Sequence, residues 1–201
     1  MTFSIAITTT DRDRPTLGES ILSLNAVAQW HDVTISIVKD TEPKRGCFGN
    51  YYFALSEVAR SNADVVAVLP DDMVYHTDLF SEVSKAITGA GYCAAYTPRG
   101  CGNRYRMKRG WNEVKGGWAT TWGGCYFYPI EVAQQVIAHP YIIDHRDNYE
   151  PNAQIDHAIP EVMHRMGMRQ LWAAPSLCRH IGMTSTIGHK HTLNEEPYRP
   201  H

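Results

Sequence analysis

Apolar runs and helical stripes alternate along the first ninety residues of this chain. The runs at 3–7, 33–38 and 64–69 predict three buried strands. After each run, apolar residues spaced three or four apart predict a helix; they are Leu17, Ile21, Leu24 and Ala28, then Tyr51, Ala54, Leu55 and Val58, then Leu79, Val83 and Ile87. Residues 46–50 are interpreted as the turn before the second helix. Such alternation is typical of an α/β fold with a parallel sheet covered by helices.

The periodicity weakens over residues 91–150, which are rich in Gly, Arg, Trp and Tyr. Here "GGWATTWGGCYFYP" predicts a loop that leads into a strand at 125–128. A further helix is predicted from Ile155, Ile159, Val162 and Met166, and a further strand at 171–174. Without repeats or a linker, the 201 residues are interpreted as one domain. Its halves are 1–90 and 91–190, and 190–201 is interpreted as a tail.

Composition and charge narrow the functional class. The formal net charge is -2, which argues against a protein that binds polyanions over its whole surface. No apolar run approaches the ~20 residues of a membrane span, and we expect no membrane partner. The start of the chain lacks the features of a signal peptide. The 5 cysteines show no C-x-x-C spacing, which favours free thiols in a reducing compartment and hence a cytoplasmic protein.

Polar residues stand where each of the three predicted strands ends. Thr8 and Asp11 follow the first strand, Asp40 the second, and Asp71 and Asp72 the third. Ligands of such sheets bind beyond the carboxyl ends of the strands. Adjacent carboxylates repel each other unless a cation or hydrogen-bond donors offset their charge. A Mg²⁺ or Mn²⁺ ion held by carboxylates and the phosphates of a ligand is one solution. The alternative is that the two aspartates only cap a turn after the proline.

With these elements in order, the sequence resembles a known enzyme family. The helix "RPTLGESILSL" and the stretch "GCFGNYYFALSEVARSNADVVAVLPDDM" are similar to segments of family-2-type, nucleotide-sugar glycosyltransferases of the GT-A fold. The resemblance spans nearly the whole chain, although each motif alone is loose. It implies a Rossmann-like, mixed and mainly parallel sheet. It also implies an inverting, hexosyltransferase-type enzyme that moves a sugar from a nucleotide-diphospho-sugar to a hydroxyl group.

The family's Asp-x-Asp motif, which holds Mn²⁺ or Mg²⁺ against the diphosphate, maps to residues 70–72. The last aspartate is the usual metal ligand, and the resemblance assigns that role to Asp72. Pro70 occupies the first acidic position, which departs from the motif and weakens the expected metal site. By the same mapping Asp71 faces the ribose or the sugar.

The resemblance also implies a nucleoside site. In the family an aspartate at the end of the second strand reads uracil, which maps to Asp40 and favours a UDP-sugar donor. Thr8 and Asp11 map to the loop that wraps the nucleoside, with helix or turn capping as the alternative. Lys44 and Arg45 are interpreted either as contacts to the diphosphate or as a solvated turn.

The general base implied by the resemblance is a carboxylate at the start of a late helix. "NYEPNAQIDHAIPEVMHRMG" has that layout, with Asp156 as the candidate catalytic residue. The base must reach the acceptor hydroxyl within hydrogen-bond distance. The alternative for Asp156 is a helix N-cap, and the two roles are compatible. The reserve candidates are Glu150, Asp144 and Asp147.

A late histidine completes the metal site in GT-A enzymes. "PSLCRHIGMTS" is similar to P-S-L-x-x-H-I-G stretches of some N-acetylglucosaminyltransferases, which makes His180 the candidate second ligand. Neutral imidazole is a reasonable ligand for Mn²⁺. Most lone histidines are structural or exposed, and only the resemblance singles this one out. His189 and His191 are interpreted as part of the tail rather than a zinc site.

Residues 99–118 combine six Lys/Arg and one Glu with Tyr105, Trp111 and Trp118. Basic groups beside aromatic rings suit phosphates and stacked bases, and tryptophan also stacks on sugars. A loop that closes over the diphosphate and a merely solvated loop are the other interpretations. Trp122 and Gly123 are expected to line the donor-sugar or acceptor pocket, because glycine lets a ligand approach the backbone.

Two other functions remain open from the sequence. A nucleotidyltransferase shares the α/β sheet and an acidic metal site, but it usually has a glycine-rich loop after the first strand, and here no glycine precedes Gly18. A non-catalytic nucleic-acid-binding module would use residues 99–118. The interpretations also combine, as a glycosyltransferase whose acceptor is a nucleic-acid base or a glycan.

Overall fold

A computed structural model describes residues 1–11, 16–41, 45–115, 125–148 and 155–181. The predictions made for Lys44, Trp118, Trp122, Gly123, Glu150, His189 and His191 lie outside these ranges. The strands are β1 (Thr2–Thr9), β2 (Asp32–Lys39), β3 (Val65–Pro70), β4 (Met73–Tyr75), β5 (Tyr92–Ala94), β6 (Gly110–Val114), β7 (Tyr126–Pro129), β8 (Gln170–Ala174) and β9 (Cys178–His180). The helices are α1 (Leu17–Ala28), α2 (Gly46–Val58), α3 (Leu79–Ala86), α4 (Arg99–Arg104), α5 (Ile130–Ala138), α6 (Pro140–Asn148) and α7 (Ile155–Arg165).

Seven strands from both halves of the chain form one sheet in the order β2-β1-β3-β7-β5-β8-β6. The first three strands are parallel, as the alternating pattern predicts. Strand β7 enters antiparallel between β3 and β5, and β6 is antiparallel to β8 at the edge. Strands β5 and β8 run parallel to each other in the direction of β1. The predicted mixed, mainly parallel sheet flanked by helices is therefore confirmed.

Apolar side chains cover both faces of this sheet, because helices pack on each side. On one face Ala6, Val66 and Val68 pack against the helices α2, α5 and α7. On the other face Ile5 and Ile7 of the same strand pack against α1 and α3. Successive residues of a strand point to opposite faces, and a strand that is buried on both faces therefore reads as a continuous apolar run. This explains the unbroken pattern at the first and third strands.

The interpretation of residues 46–50 as a turn is wrong, because α2 begins at Gly46. The carboxylate of Asp40 accepts the backbone N–H of Arg45 at 2.8 Å and of Gly46 at 3.2 Å. These are among the first amides of the helix, which have no partner within it. The side chain of Asp40, six residues before Gly46, thus starts the helix earlier than its apolar stripe indicates.

The weakly periodic segment contains more structure than its pattern indicates. Helices α5 and α6 follow one another between 130 and 148, with Pro140 as the first residue of α6. Proline is favoured at that position because its missing N–H has no partner there in any case. Strands β4, β5 and β9 have three residues each, which is too short for a periodic signal.

Two short strands form a small separate sheet that matters for the site. Strand β4 pairs antiparallel with β9, with Met73 opposite His180 and Tyr75 opposite Cys178. The amide of Ile181 also donates to the carbonyl of Asp72 at 2.8 Å. This pairing brings the last described strand to the turn that follows β3.

Cysteines 47, 93, 101, 125 and 178 are free thiols. Among the described helices, none combines the length and the apolar character needed to cross a bilayer.

Candidate active site

The carboxyl ends of β1, β2 and β3 meet at one edge of the sheet. Thr8 lies opposite Val38 and Pro70 in the parallel register, and Thr9 lies opposite Lys39. The amide of Asp40 donates to the carbonyl of Thr9 at 2.8 Å. The polar residues that follow the three strands are therefore neighbours, as the sequence predicts.

The adjacent carboxylates of Asp71 and Asp72 are both buried and turn toward different elements. Asp71 is 1% exposed, and its Oδ2 accepts a hydrogen bond from Oγ1 of Thr9 at 2.5 Å. Oδ2 of Asp72 lies 3.1 Å from Nε2 of His180. Each carboxylate thus has a polar neighbour of its own, which lowers the cost of burying two acids in sequence.

Asp72 and His180 could each supply one ligand to a divalent ion. Neighbouring ligands on an octahedral ion with bonds of about 2.1–2.2 Å are about 3 Å apart, close to the separation of Oδ2 and Nε2 here. A direct hydrogen bond between the two side chains gives the same distance. Nδ1 of His180 is buried and meets no hydrogen-bond partner within the described ranges. No group of three or more metal-binding side chains occurs in them either. Asp72 and His180 could therefore hold an ion only together with ligands from outside the described residues, such as phosphates and water.

Asp40 is placed at the end of β2, and its carboxylate is occupied by the start of α2. Besides the two amides, Nε of Arg45 lies 3.8 Å from Oδ1. Arg45 also donates to Oδ1 of Asn50 at 3.1 Å and stacks on the ring of Phe53. These contacts account for the burial of Asp40 without a ligand. A carboxylate has about four acceptor positions, which leaves capacity for a nucleobase N–H.

Thr8 and Asp11 have unequal positions at the edge. Oγ1 of Thr8 donates to the carbonyl of Leu69 at 3.3 Å, which ties β1 to β3. The side chain of Asp11 is 83% exposed and forms an ion pair of 2.8 Å with Lys39. Contacts in the described structure thus account for both residues as parts of the fold.

Asp156 lies in the first turn of α7 and receives a hydrogen bond from the phenol of Tyr126 at 3.4 Å. The described part of α7 begins at Ile155, and so Asp156 is not its N-cap. Burial, then Cys178, and then the carboxylates of Asp72 and Asp156 raise the pKa of the Cys125 thiol. Cys125 directly precedes β7, which lies in the middle of the sheet.

A chain of hydrogen bonds between buried polar groups connects helix α7 to the sheet. The indole N–H of Trp172 donates to Oη of Tyr92 at 3.1 Å, and that phenol donates to Gln170 at 3.0 Å. The amide of Gln170 in turn donates to the carbonyl of Pro160 at 3.2 Å. Burial raises the pKa of Tyr92, so its hydroxyl stays protonated as a donor. The chain holds the helix that carries Asp156.

The reserve acids are engaged elsewhere. Asp144 accepts from Asn148 at 2.6 Å, and Asp147 pairs with Arg146, all on the exposed side of α6.

Three residues at the carboxyl edge of the sheet were not predicted from the sequence: Thr9, Cys125 and Tyr126. Only the first had a signal, since it belongs to the polar run after the first strand.

Comparison with models of known protein families gave no match, and comparison with curated protein sequences gave none either. Among solved structures, this chain is similar to a galactosyltransferase, LgtC, that was determined in complex with donor and acceptor sugar analogs. The superposition has a TM-score of 0.48 and 10% sequence identity, and it covers 85% of this chain and 73% of the other.

Proposed function

We propose that this chain is a metal-dependent, inverting glycosyltransferase of the GT-A type. Its donor is a nucleotide-diphospho-sugar, with UDP as the nucleotide, and its acceptor is a hydroxyl group. The observation that carries the proposal is the 3.1 Å contact between Asp72 and His180 at the carboxyl edge of the sheet. The two residues come from opposite parts of the sequence, and the edge is where α/β sheets bind nucleotides.

In this proposal Asp72 and His180 hold a Mn²⁺ or Mg²⁺ ion. The ion supplies positive charge that stabilises the departing diphosphate. Asp71, held by Thr9, faces the ribose or sugar, and Asp40 faces the base. Trp122 and Gly123 remain the candidates for the sugar pocket.

Asp156 acts as the general base on the acceptor side. Its carboxylate takes the proton of the acceptor hydroxyl while that oxygen bonds to the anomeric carbon and the bond from this carbon to the diphosphate breaks. The displacement inverts the anomeric configuration. The hydrogen bond from Tyr126 favours the ionised carboxylate, which is the form that a base requires.

The test is binding and turnover of nucleotide sugars with Mn²⁺ and with EDTA. A donor present at about 100 times its dissociation constant stabilises by about 2.7 kcal/mol, which for a chain of this size raises Tm by about 5–11 °C. We expect EDTA and Asp72→Asn each to remove most of the metal-dependent Tm shift and the turnover.

The matched control is Asp32→Asn, because Asp32 is an exposed aspartate at the opposite edge of the sheet. This variant should keep both the metal-dependent Tm shift and the turnover. Metal-dependent turnover that survives Asp72→Asn would remove the proposed role of Asp72. If no nucleotide sugar shifts Tm with Mn²⁺, the proposed donor class is wrong.

A further inference from the structure

Four exposed cations lie close together at the turn between α4 and β6. Arg104, Arg106, Lys108 and Arg109, here called the basic strip, are all exposed. None of them forms an ion pair with a carboxylate anywhere in the described ranges. Most other described cations do; these are Lys39, Arg45, Arg60, Lys85, Arg146, Arg165 and Arg169. Within the described part of the chain, the strip is thus a concentration of positive charge without carboxylate partners, on a protein of net charge -2.

The backbone presents these cations in a fixed arrangement. The side chain of Asn112 accepts the amide of Lys108 at 2.9 Å and donates to the carbonyls of Lys108 and Gly110 at 2.8 and 3.1 Å. Met107 is buried between the exposed cations and anchors the segment. Arg106 has a φ of 50°, a conformation that L-residues rarely adopt and that persists only where the surroundings impose it. The segment is therefore organised rather than a loose charged loop.

The strip lies on the same edge of the sheet as the candidate active site. Gly110 pairs with Ala174, the last residue of β8, and β8 points in the direction of β3. Four strand spacings of about 4.8 Å separate β3 from β6, so the strip is roughly 20 Å from the Asp71–Asp72 turn. A ligand that spans the edge can reach both.

An aromatic ring and a cavity accompany the charge. Tyr105 is 38% exposed, lies between two cations of the strip, and packs edge-on against Trp172. It borders a cavity of about 350 Å³ that is lined by Tyr105, Met107, Asn112, Glu113, Val114 and Lys115. Positive grooves with exposed aromatic rings bind single-stranded nucleic acids through phosphates and stacked bases.

We propose that the basic strip and Tyr105 bind a single-stranded nucleic acid, which is the acceptor of the transfer. The name acceptor rests on the proposed function, whereas the binding itself does not. Phosphates contact the four cations, and a base stacks on the exposed part of Tyr105.

The test is fluorescence anisotropy of a labelled oligothymidylate of about 12 nucleotides, titrated without nucleotide sugar at about 50 and about 200 mM salt. Four phosphate contacts to a single strand give a slope of about -2.8 in log K against log salt, so that the affinity of the wild type falls about 50-fold over this range. In the variant Arg104→Gln, Lys108→Gln, Arg109→Gln one contact remains, and a fall of about 3-fold is expected. Arg106 is left unchanged because of its backbone conformation.

The matched control changes Arg60, Lys85 and Arg165 to Gln, which removes the same charge from exposed cations elsewhere. It should retain most of the salt slope. An abasic oligonucleotide of equal length keeps the phosphates and should bind about tenfold more weakly, because the stacked base is missing.

Three results would overturn the inference. The strip variant could bind with an unchanged slope, the control could lose as much affinity as the strip variant, or the abasic strand or a heparin fragment could bind as tightly as the oligonucleotide. In the last case the surface binds polyanions without reading bases. No nucleotide sugar is present in this assay, so these results would not affect the proposed donor. Conversely, a failure of the chain to bind nucleotide sugars would not affect the proposed binding of nucleic acid by the basic strip.

Discussion

Asp40 is the residue for which a structural role and a ligand-binding role can be separated by measurement. Its carboxylate accepts the backbone amides of Arg45 and Gly46 and is buried at the start of α2. The same position is the proposed reader of uracil. We expect Asp40→Ala to impair both roles and Asp40→Asn to impair mainly the second, because the amide oxygen still accepts one N–H.

The magnitude follows from the two lost acceptors. Loss of an N-terminal cap costs about 0.5–2 kcal/mol, which for a chain of this size lowers Tm by about 1–8 °C. Asp40→Asn keeps an acceptor for one of the two N–H groups and loses the other acceptor, together with the interaction of its charge with the helix dipole, which alone is worth about 0.3–1 kcal/mol. Its Tm should therefore lie between those of the wild type and Asp40→Ala. A hydrogen bond from uracil to a charged acceptor contributes about 1.5–3 kcal/mol, and both variants should therefore bind UDP roughly 10- to 150-fold more weakly.

Differential scanning calorimetry measures the change in Tm, and isothermal titration of UDP with Mn²⁺, well below Tm, measures the change in UDP affinity. If Asp40→Ala has the same Tm as the wild type, the proposed capping role of Asp40 is refuted. Destabilisation without any loss of UDP affinity would leave Asp40 as a helix cap only.

Two further predictions concern packing and pH. A Cβ at Gly91 would stand 2.6 Å from Cβ of Met168, so Gly91→Ala should lower the free energy of unfolding in urea by about 1–3 kcal/mol. The control is Gly18→Ala, which has open space around the added Cβ and should not destabilise the protein. Equal effects of the two substitutions would contradict the steric explanation. His145 packs edge-on against Phe48, and its burial lowers its pKa. The nearby carboxylate of Asp144 has a smaller effect in the opposite direction. The unfolded chain therefore takes up this proton first as pH falls below about 6.5, and the stability that neutral His145 contributes is lost as pH falls through its folded pKa. Urea midpoints from about pH 7.5 to 5 should fall more steeply for the wild type than for His145→Gln, and parallel curves would refute the assignment.

The parts of the fold with strong periodicity were predictable from the sequence. The runs at the first three strands and the stripes of α1, α3 and α7 correspond to observed elements, because burial on one or both faces imposes a repeat. The direction of β7 was not predictable, since an apolar run looks the same in either orientation. The first turn of α2 was missed because its cap lies upstream, outside the helix.

The site was predictable only in part. Polar strand ends place Asp40, Asp71 and Asp72 together by topology alone. The neighbourhood of Asp72 and His180 depends on a pairing of two three-residue strands that has no periodic signal, and only the resemblance pointed to it. The partners of the carboxylates, Thr9 and Tyr126, are set by side-chain packing that no spacing encodes.

The short pairing of β4 with β9 has a consequence for biosynthesis. While the ribosome has yet to deliver Cys178, Arg179 and His180, the turn after β3 carries its two acids without the imidazole. A nascent chain therefore brings His180 to Asp72 only after β9 has been made, and on the proposed function its affinity for manganese would rise only at that point.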